Sequence, residues 1–325
     1  MKKDERIIQF FDLQLYGRTR ARDIRHNLAS PRSLDQLMQD FWAIREANKA
    51  RKKVDARSKL EFRLEHMEEL DDAWMLLVNV VDTEAAHPVT NKVGGTDSDR
   101  EVIELGEDRG LESSSHILIY KAADAAAKHV TLIEKNPSLP FAKALAFLNH
   151  LSRVAAKHFS DDYRQPHPSG VSNKTINTYC VLSIYGHPSD EFREEVESGV
   201  LTDIRLTSDA NIVRGYDSER HAELIGTEVR MKVGRIDVAL SGGNWSHIQK
   251  ALQHANDLES PFVRIQFTGE TGSSHTATLS TDTGLLYQAD KYIKKRKIND
   301  LGNNLKTAFP VIHGGIKQKM LELLE

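Results

Sequence analysis

Residues 60–81 read LEFRLEHMEELDDAWMLLVNVV, and this stretch decides the fold class. Leu60 to Leu70 is a strand candidate, Asp71 and Asp72 interrupt it, and Trp74 to Val81 follows almost wholly apolar. Two such runs joined by a short polar turn predict an antiparallel hairpin. A strand that is apolar on both faces belongs inside a sheet, so the second run is expected to be central.

Upstream, Ile7 to Leu15 reads as an opening strand that Gly17 ends, and Ser33 as the N-cap of a helix through Leu34, Leu37, Met38, Phe41, Trp42 and Ile44. Downstream, residues 83–115 hold Pro88, four glycines and eight Asp or Glu, which predicts a long acidic loop. His116 to Tyr120 and His129 to Ile133 form a short strand pair, and Pro140 opens a helix that reaches about Phe159. Ser160 to Lys174, with Pro166, Pro168 and Gly170, is the expected domain boundary. Beyond it come a strand at Tyr179 to Tyr185, a short helix capped by Ser189 or Asp190, a short strand at Ile204 to Leu206 and a helix over 218–233. A strand at Ile236 to Leu240, a helix at Trp245 to His254, a hairpin of Phe262 to Thr268 with His275 to Ser280, and a closing helix from Val311 to Leu324 complete the chain.

Strands and helices mix without a βαβ beat, which predicts an α+β protein. The expected organisation is two domains, 1–160 and 175–325, each a mainly antiparallel sheet packed with helices. With 325 residues, 39% hydrophobic and 28% charged, the chain has an ordinary globular composition. The single cysteine, Cys180, cannot pair within the chain, which suggests a reducing cytoplasm. No stretch has the roughly 20 apolar residues of a membrane span.

GxGxxG, GxxxxGK[ST], HExxH and CxxC are all absent, so neither a cofactor nor a metal is expected and an enzyme is disfavoured. A metal-dependent nuclease of the PD-(D/E)xK type needs a Glu-x-Lys spacing that Glu134 with Lys135, and Glu228 with Lys232, do not supply; both pairs read as surface charge. His129 with Thr131 on a strand matches one half of a two-histidine phosphoesterase pattern, and His275 offers a defective second half because Ala277 replaces the hydroxyl residue. A phosphodiesterase or nuclease using these residues is one alternative reading, and a scaffold whose Trp42 helix and terminal helix dock a phage or host protein is another. His116, His129 and His275 read more simply as strand histidines with satisfied nitrogens. The Ser241-Gly242-Gly243-Asn244 turn before a helix offers backbone N–H groups to a phosphate.

The net charge of -3 hides a polarised chain. Residues 1–60 hold fifteen Lys or Arg against eight Asp or Glu, a balance of +7, whereas residues 61–120 hold four against fifteen, a balance of -11. The last 35 residues are at +5, with eight basic and three acidic. The basic residues fall in three runs: Arg18, Arg20, Arg22 and Arg25; Lys49, Arg51, Lys52, Lys53 and Arg57; and Lys291, Tyr292, Lys294, Lys295, Arg296 and Lys297. Such blocks release counterions from a phosphate backbone and predict nucleic-acid binding, DNA before RNA. The acidic loop, folded over the basic surface, would compete with the nucleic acid.

The order of elements adds a likeness. The apolar strand pair, the acidic loop, the strands at Ser115 to Ile119 and Val130 to Glu134, and the Asn136 to Pro140 turn with its helix resemble phage-encoded and antiphage proteins. The end of the chain, Val263 to Thr268, His275 to Ser280, Lys291 to Lys297 and a terminal helix, is similar to RexA-like phage-exclusion proteins. The likeness rests on element order and hydrophobic spacing, so it transfers no functional residue. It implies a two-domain, dimeric, DNA-binding protein that acts in abortive infection.

Overall fold

The computed structural model describes residues 4–21, 24, 27–53, 59–107, 109–125, 127–170, 174–209, 226–232, 243–257, 260, 262–269, 272–281, 286, 292–302 and 305–324. The fold is α+β, with a large antiparallel sheet and, among the described residues, five α-helices. In chain order the elements are β1 (Arg6–Thr19), α1 (Leu34–Glu46), β2 (Arg51–Lys52), β3 (Leu60–Glu69), β4 (Ala73–Asp82), β5 (Val89–Thr90), β6 (Glu101–Val102), β7 (Leu111–Ala123), β8 (Lys128–Glu134), α2 (Phe141–His158), β9 (Arg164–Pro166) and β10 (Thr175–Gly186). They continue as α3 (Asp190–Ser198), β11 (Val200–Asp209), β12 (Gly226–Lys232), α4 (Gly243–Asp257), β13 (Phe262–Thr268), β14 (Ser274–Ser280), β15 (Lys295–Ile298) and α5 (Gly314–Glu322). None of the described helices is long and apolar enough to cross a membrane.

Contacts divide the chain into two compact units. The first comprises Met1–Ile8, Gln14–Leu182 and Lys297–Glu325; the second comprises Gln9–Leu13 and Ser183–Arg296. The large sheet runs β2-β3-β4-β7-β8-β1-β10-β9, with β15 also on β1. The hairpin of residues 60–81 is present as β3 and β4, paired from Leu60↔Asp82 to Glu69↔Trp74. Because β7 takes the other edge of β4, Ala73 to Val80 is buried on both faces, which accounts for its unbroken apolar run.

Ser33 caps α1 as expected. Its Oγ accepts the Gln36 N–H, and the Gln36 side chain accepts the Ser33 N–H. Leu37, Met38, Phe41 and Ile44 then face inward, and Phe147 of α2 stacks on Phe62 of β3 at 5.6 Å. Three local expectations need correction. Gly17 does not end β1: a Cβ there would lie 2.4 Å from the Ala29 oxygen, so the glycine admits the Leu28 backbone against a continuing strand. Residues 111–115 belong to β7, and the acidic loop carries the small β5–β6 ribbon. The expected boundary at Ser160 to Lys174 lies within the first unit, where Tyr163 is buried and β9 pairs with β10.

The second unit is a four-stranded antiparallel sheet, order β12-β11-β13-β14. One of its faces, Leu201, Ile204, Leu206, Val263, Ile265, Phe267 and Leu279, packs against Phe192 and Val196 of α3 and Ile248 and Leu252 of α4. The β13–β14 hairpin follows the expected alternation. Residues 226–232, expected in a helix, are β12, which pairs with β11 from Asp203↔Lys232 to Asp209↔Gly226. Thr227 and Val229 are β-branched and the sheet edge offers the backbone a full ladder, which outweighs the weak helical spacing. The strand expected at Ile236 to Leu240 lies outside the described residues.

Candidate nucleic-acid interface

The first unit carries a basic cleft. Along α2, Phe147, Leu148, Leu151 and Ala155 are buried, so the same period of 3.6 turns Arg153, Lys157 and His158 to solvent and leaves His150 half-buried. Past Gly17, β1 continues to Thr19, whose hydroxyl donates to the Asn177 carbonyl at 2.9 Å and sets Arg20 beside this face. Asn48, in a left-handed conformation with φ of 55°, turns the chain out of α1 and presents Lys49. The Lys49 ammonium lies 3.1 Å from His158 Nδ1.

Arg20, Lys49, His150, Arg153, Lys157 and His158 line a cleft of ≈ 580 Å³ with no carboxylate among its described lining residues. A second cleft of ≈ 550 Å³ shares Arg20, Arg153 and Lys157 and extends past Ser160, Asn177 and Tyr179. The pair of clefts offers four cations and several hydroxyl and amide groups on one surface. Burial lowers the His150 pKa against a hydrogen bond to the Arg51 backbone, and Arg153 and Lys52 lower it further. The imidazole is therefore a neutral neighbour to the cations at pH 7.

The predicted basic residues scatter. Arg18 donates to Asn27 Oδ1 at 3.3 Å and lies over the Tyr16 ring. Arg20 and Lys49 join the cleft, and Lys52 lies near it, beside His150. Arg51 lines a different groove of mixed sign with Arg45, Arg63, Glu46 and Glu65, because alternation along β2 turns it away from Lys52. Lys53 is exposed just past β2. Arg22, Arg25, Arg57 and Lys291 lie outside the described residues.

The third run is mostly engaged. Tyr292 is 6% exposed with its ring 4.5 Å from Phe192, so it packs a core and offers no platform to a base. Lys294 lies over the Phe10 ring at 5.0 Å, Lys297 pairs with Glu5, and Lys295 and Arg296 lie close enough to Glu191 to help hold its carboxyl below the usual range. That depression comes first from hydrogen bonds at the Glu191 backbone and Ser189.

Each histidine candidate has a partner within its own unit. His129 Nδ1 lies 3.0 Å from the Tyr120 carbonyl, and Thr131 is buried with its hydroxyl donating to the His129 carbonyl at 3.1 Å. His275, in the second unit, lies 3.0 Å from Glu195 Oε1. The Asn244 turn is not open to a phosphate, because the Glu197 carboxylate already accepts the Asn244 and Trp245 N–H groups at 2.8 and 3.0 Å. Among the described residues no three His, Cys, Asp or Glu side chains gather as a metal site.

Glu134 is not surface charge. It is 1% exposed, with Oε1 2.7 Å from Arg6 Nε and Oε2 2.6 Å from His116 Nδ1. His116 Nε2 accepts the His313 backbone N–H at 3.1 Å, and its Nδ1 faces Glu134. Ser114, Asn79 and Asn136 extend the network to Phe309 and Thr307, and Arg6 donates to the Lys306 carbonyl. Arg6, Asn79, Ser114, His116, Glu134 and Asn136 are each 2% exposed or less, out of reach of any substrate; they bind residues 306–313 to β4 and β7.

Arg153 and Lys157 complete the site although they belong to no basic run along the chain; the signal for them is their i, i+4 spacing on the outer face of α2. Compared with known protein families, curated proteins and solved structures, the chain matches none.

Proposed function

We propose that the protein binds nucleic acid, DNA first, through phosphate contacts in the α2 cleft. The observation that carries this reading is the convergence of Arg20, Lys49, Arg153 and Lys157, from three separate segments, on one surface with no carboxylate among its described lining residues. Like charges so placed repel one another, and a polyanion relieves that repulsion while it releases counterions. The two units act as separate domains on this reading, with the cleft belonging to the first. Element order similar to RexA-like phage-exclusion proteins gives the binding a setting in phage defence, in the cytoplasm and as a homodimer.

The test is anisotropy of a labelled DNA titrated with wild type and with Arg153→Glu/Lys157→Glu at several salt concentrations. Two removed contacts are expected to reduce the slope of log affinity against log salt by about 1.8 on duplex and to weaken binding at least tenfold at low salt. Equal affinity and slope for the two proteins would refute the assignment.

A further inference from the structure

The face of the second unit's sheet opposite α3 and α4 carries a row of arginines. The β11–β12 register sets Arg205 directly opposite Arg230, and the β11–β13 register sets Arg205 directly opposite Arg264. Three guanidinium-bearing residues thus stand side by side on three adjacent strands, spanning roughly 10 Å at the usual strand separation. Like charges directly opposite one another destabilise a sheet.

One carboxylate compensates the row in part. Asp203 is 3% exposed, with Oδ2 2.8 Å from Arg205 Nε and 2.9 Å from Arg230 Nε. Burial opposes its ionisation, but these two arginines outweigh burial and hold its carboxyl below the usual range. The side chains remain reachable: Arg230 is 65% exposed, Arg205 is 30% exposed and Arg264 is exposed.

Asp203, Arg205, Arg264, Gln266 and Thr276 line a concavity of ≈ 140 Å³ on this face. A guanidinium fork beside an amide and a hydroxyl is a donor set suited to phosphate oxygens. Phe262 lies two residues from Arg264 on the same face of β13 and is half-buried, which puts an aromatic residue next along that strand face. Arginines with an aromatic neighbour on an open sheet are the chemistry of single-strand binding, in which phosphates meet cations and bases stack.

We propose that Arg230, Arg205 and Arg264 form a second phosphate-binding strip, which takes the backbone of a single nucleic-acid strand laid across the sheet. The inference rests on the nucleic-acid reading above but on none of the residues of the α2 cleft. Asp203 then serves as a positioning residue that fixes two of the forks.

The experiment is anisotropy of a labelled single-stranded oligonucleotide and of the matching duplex. The proteins are wild type, Arg230→Ala/Arg264→Ala, Arg264→Lys and the cleft variant Arg153→Glu/Lys157→Glu, each checked for an unchanged melting profile. The double alanine variant is expected to bind the single strand about tenfold more weakly, with a salt slope smaller by about 1.4, two contacts at about 0.7 each. Arg264→Lys should fall between it and wild type, since it keeps the charge and loses the fork. Unchanged single-strand affinity and slope in the double alanine variant, or a loss confined to duplex, would overturn the strip. If the cleft variant loses binding while the double alanine variant keeps it, the strip falls and the cleft stands. The opposite pattern leaves the strip and removes the cleft, and a wild type that binds neither oligonucleotide removes both.

Discussion

His116 Nδ1 donates to Glu134 Oε2 across 2.6 Å in a site where both residues are essentially out of water. Arg6 completes the balance on the other carboxylate oxygen, and the far nitrogen of the ring holds the backbone of His313. A buried carboxylate with both oxygens engaged is costly to disturb, because each partner depends on it for compensation.

Glu134→Gln removes the charge opposite Arg6 while it keeps the side chain's size. The cost expected is about 3–5 kcal/mol, the range for a buried pair broken on one side. Urea unfolding followed by fluorescence measures it, and a cost under about 1 kcal/mol would show that water reaches the site.

Acid should loosen the attachment of α5. His313 caps this helix by accepting the Ile316 N–H on Nδ1, and burial, with help from His116 and Arg6 and against Glu134, lowers its pKa below the usual imidazole value of about 6.5. His66 and His150 are lowered as well, first by burial. The unfolded chain then takes up protons more readily than the folded one. The stability is full above pH 6.5 and falls as pH drops through that value toward the folded pKa values. His313→Asn keeps a cap acceptor without a titrating ring, so its melting temperature should fall less steeply between about pH 7 and pH 5.

Tyr163→Phe removes a hydroxyl that donates to Asp40 Oδ2 at 2.8 Å. Asp40 keeps the bidentate fork of Arg32, whose two nitrogens lie 2.9 and 2.8 Å from its oxygens. The expected loss is about 1.5–3 kcal/mol, that of one hydrogen bond to a charged group. Burial also holds the phenol protonated far above its usual range, so the Tyr163 signal should be missing from an alkaline ultraviolet titration of the folded protein.

Gly17→Ala should destabilise by about 1–3 kcal/mol, because its new carbon meets a backbone oxygen that cannot swing aside. Thermal unfolding measures the change. The same variant should weaken DNA binding modestly, since Arg20 follows on the displaced strand.

The sequence was legible where a pattern has one physical cause. Alternation and a polar turn located β3–β4 and β13–β14, and a serine three residues before a glutamine located the start of α1. It was opaque where the cause is tertiary. Gly17 looked like a stop, because nothing local shows that the Leu28 backbone presses on it. Glu134 looked like surface charge, because its partners Arg6 and His116 are distant along the chain. Of the cleft, Arg20 and Lys49 were anticipated inside runs, while Arg153 and Lys157 needed the helical face to be drawn. Tyr292 shows the reverse error: a ring among lysines suggested nucleic-acid contact, and Phe192 turned out to be its partner.

The first unit gathers residues from both ends of the chain around a middle that belongs elsewhere. On a ribosome, β4, β7 and β8 emerge long before residues 305–322, which supply Phe309, Ile316 and Met320 and the groups that engage Asn79, Ser114 and His116. Until synthesis has passed the 183–296 segment, Glu134 has Arg6 but His116 lacks its backbone donor, and the nascent sheet shows polar and apolar groups that chaperones recognise. A chain cut short before residue 305 would therefore leave Asn79, Ser114 and His116 without these backbone partners.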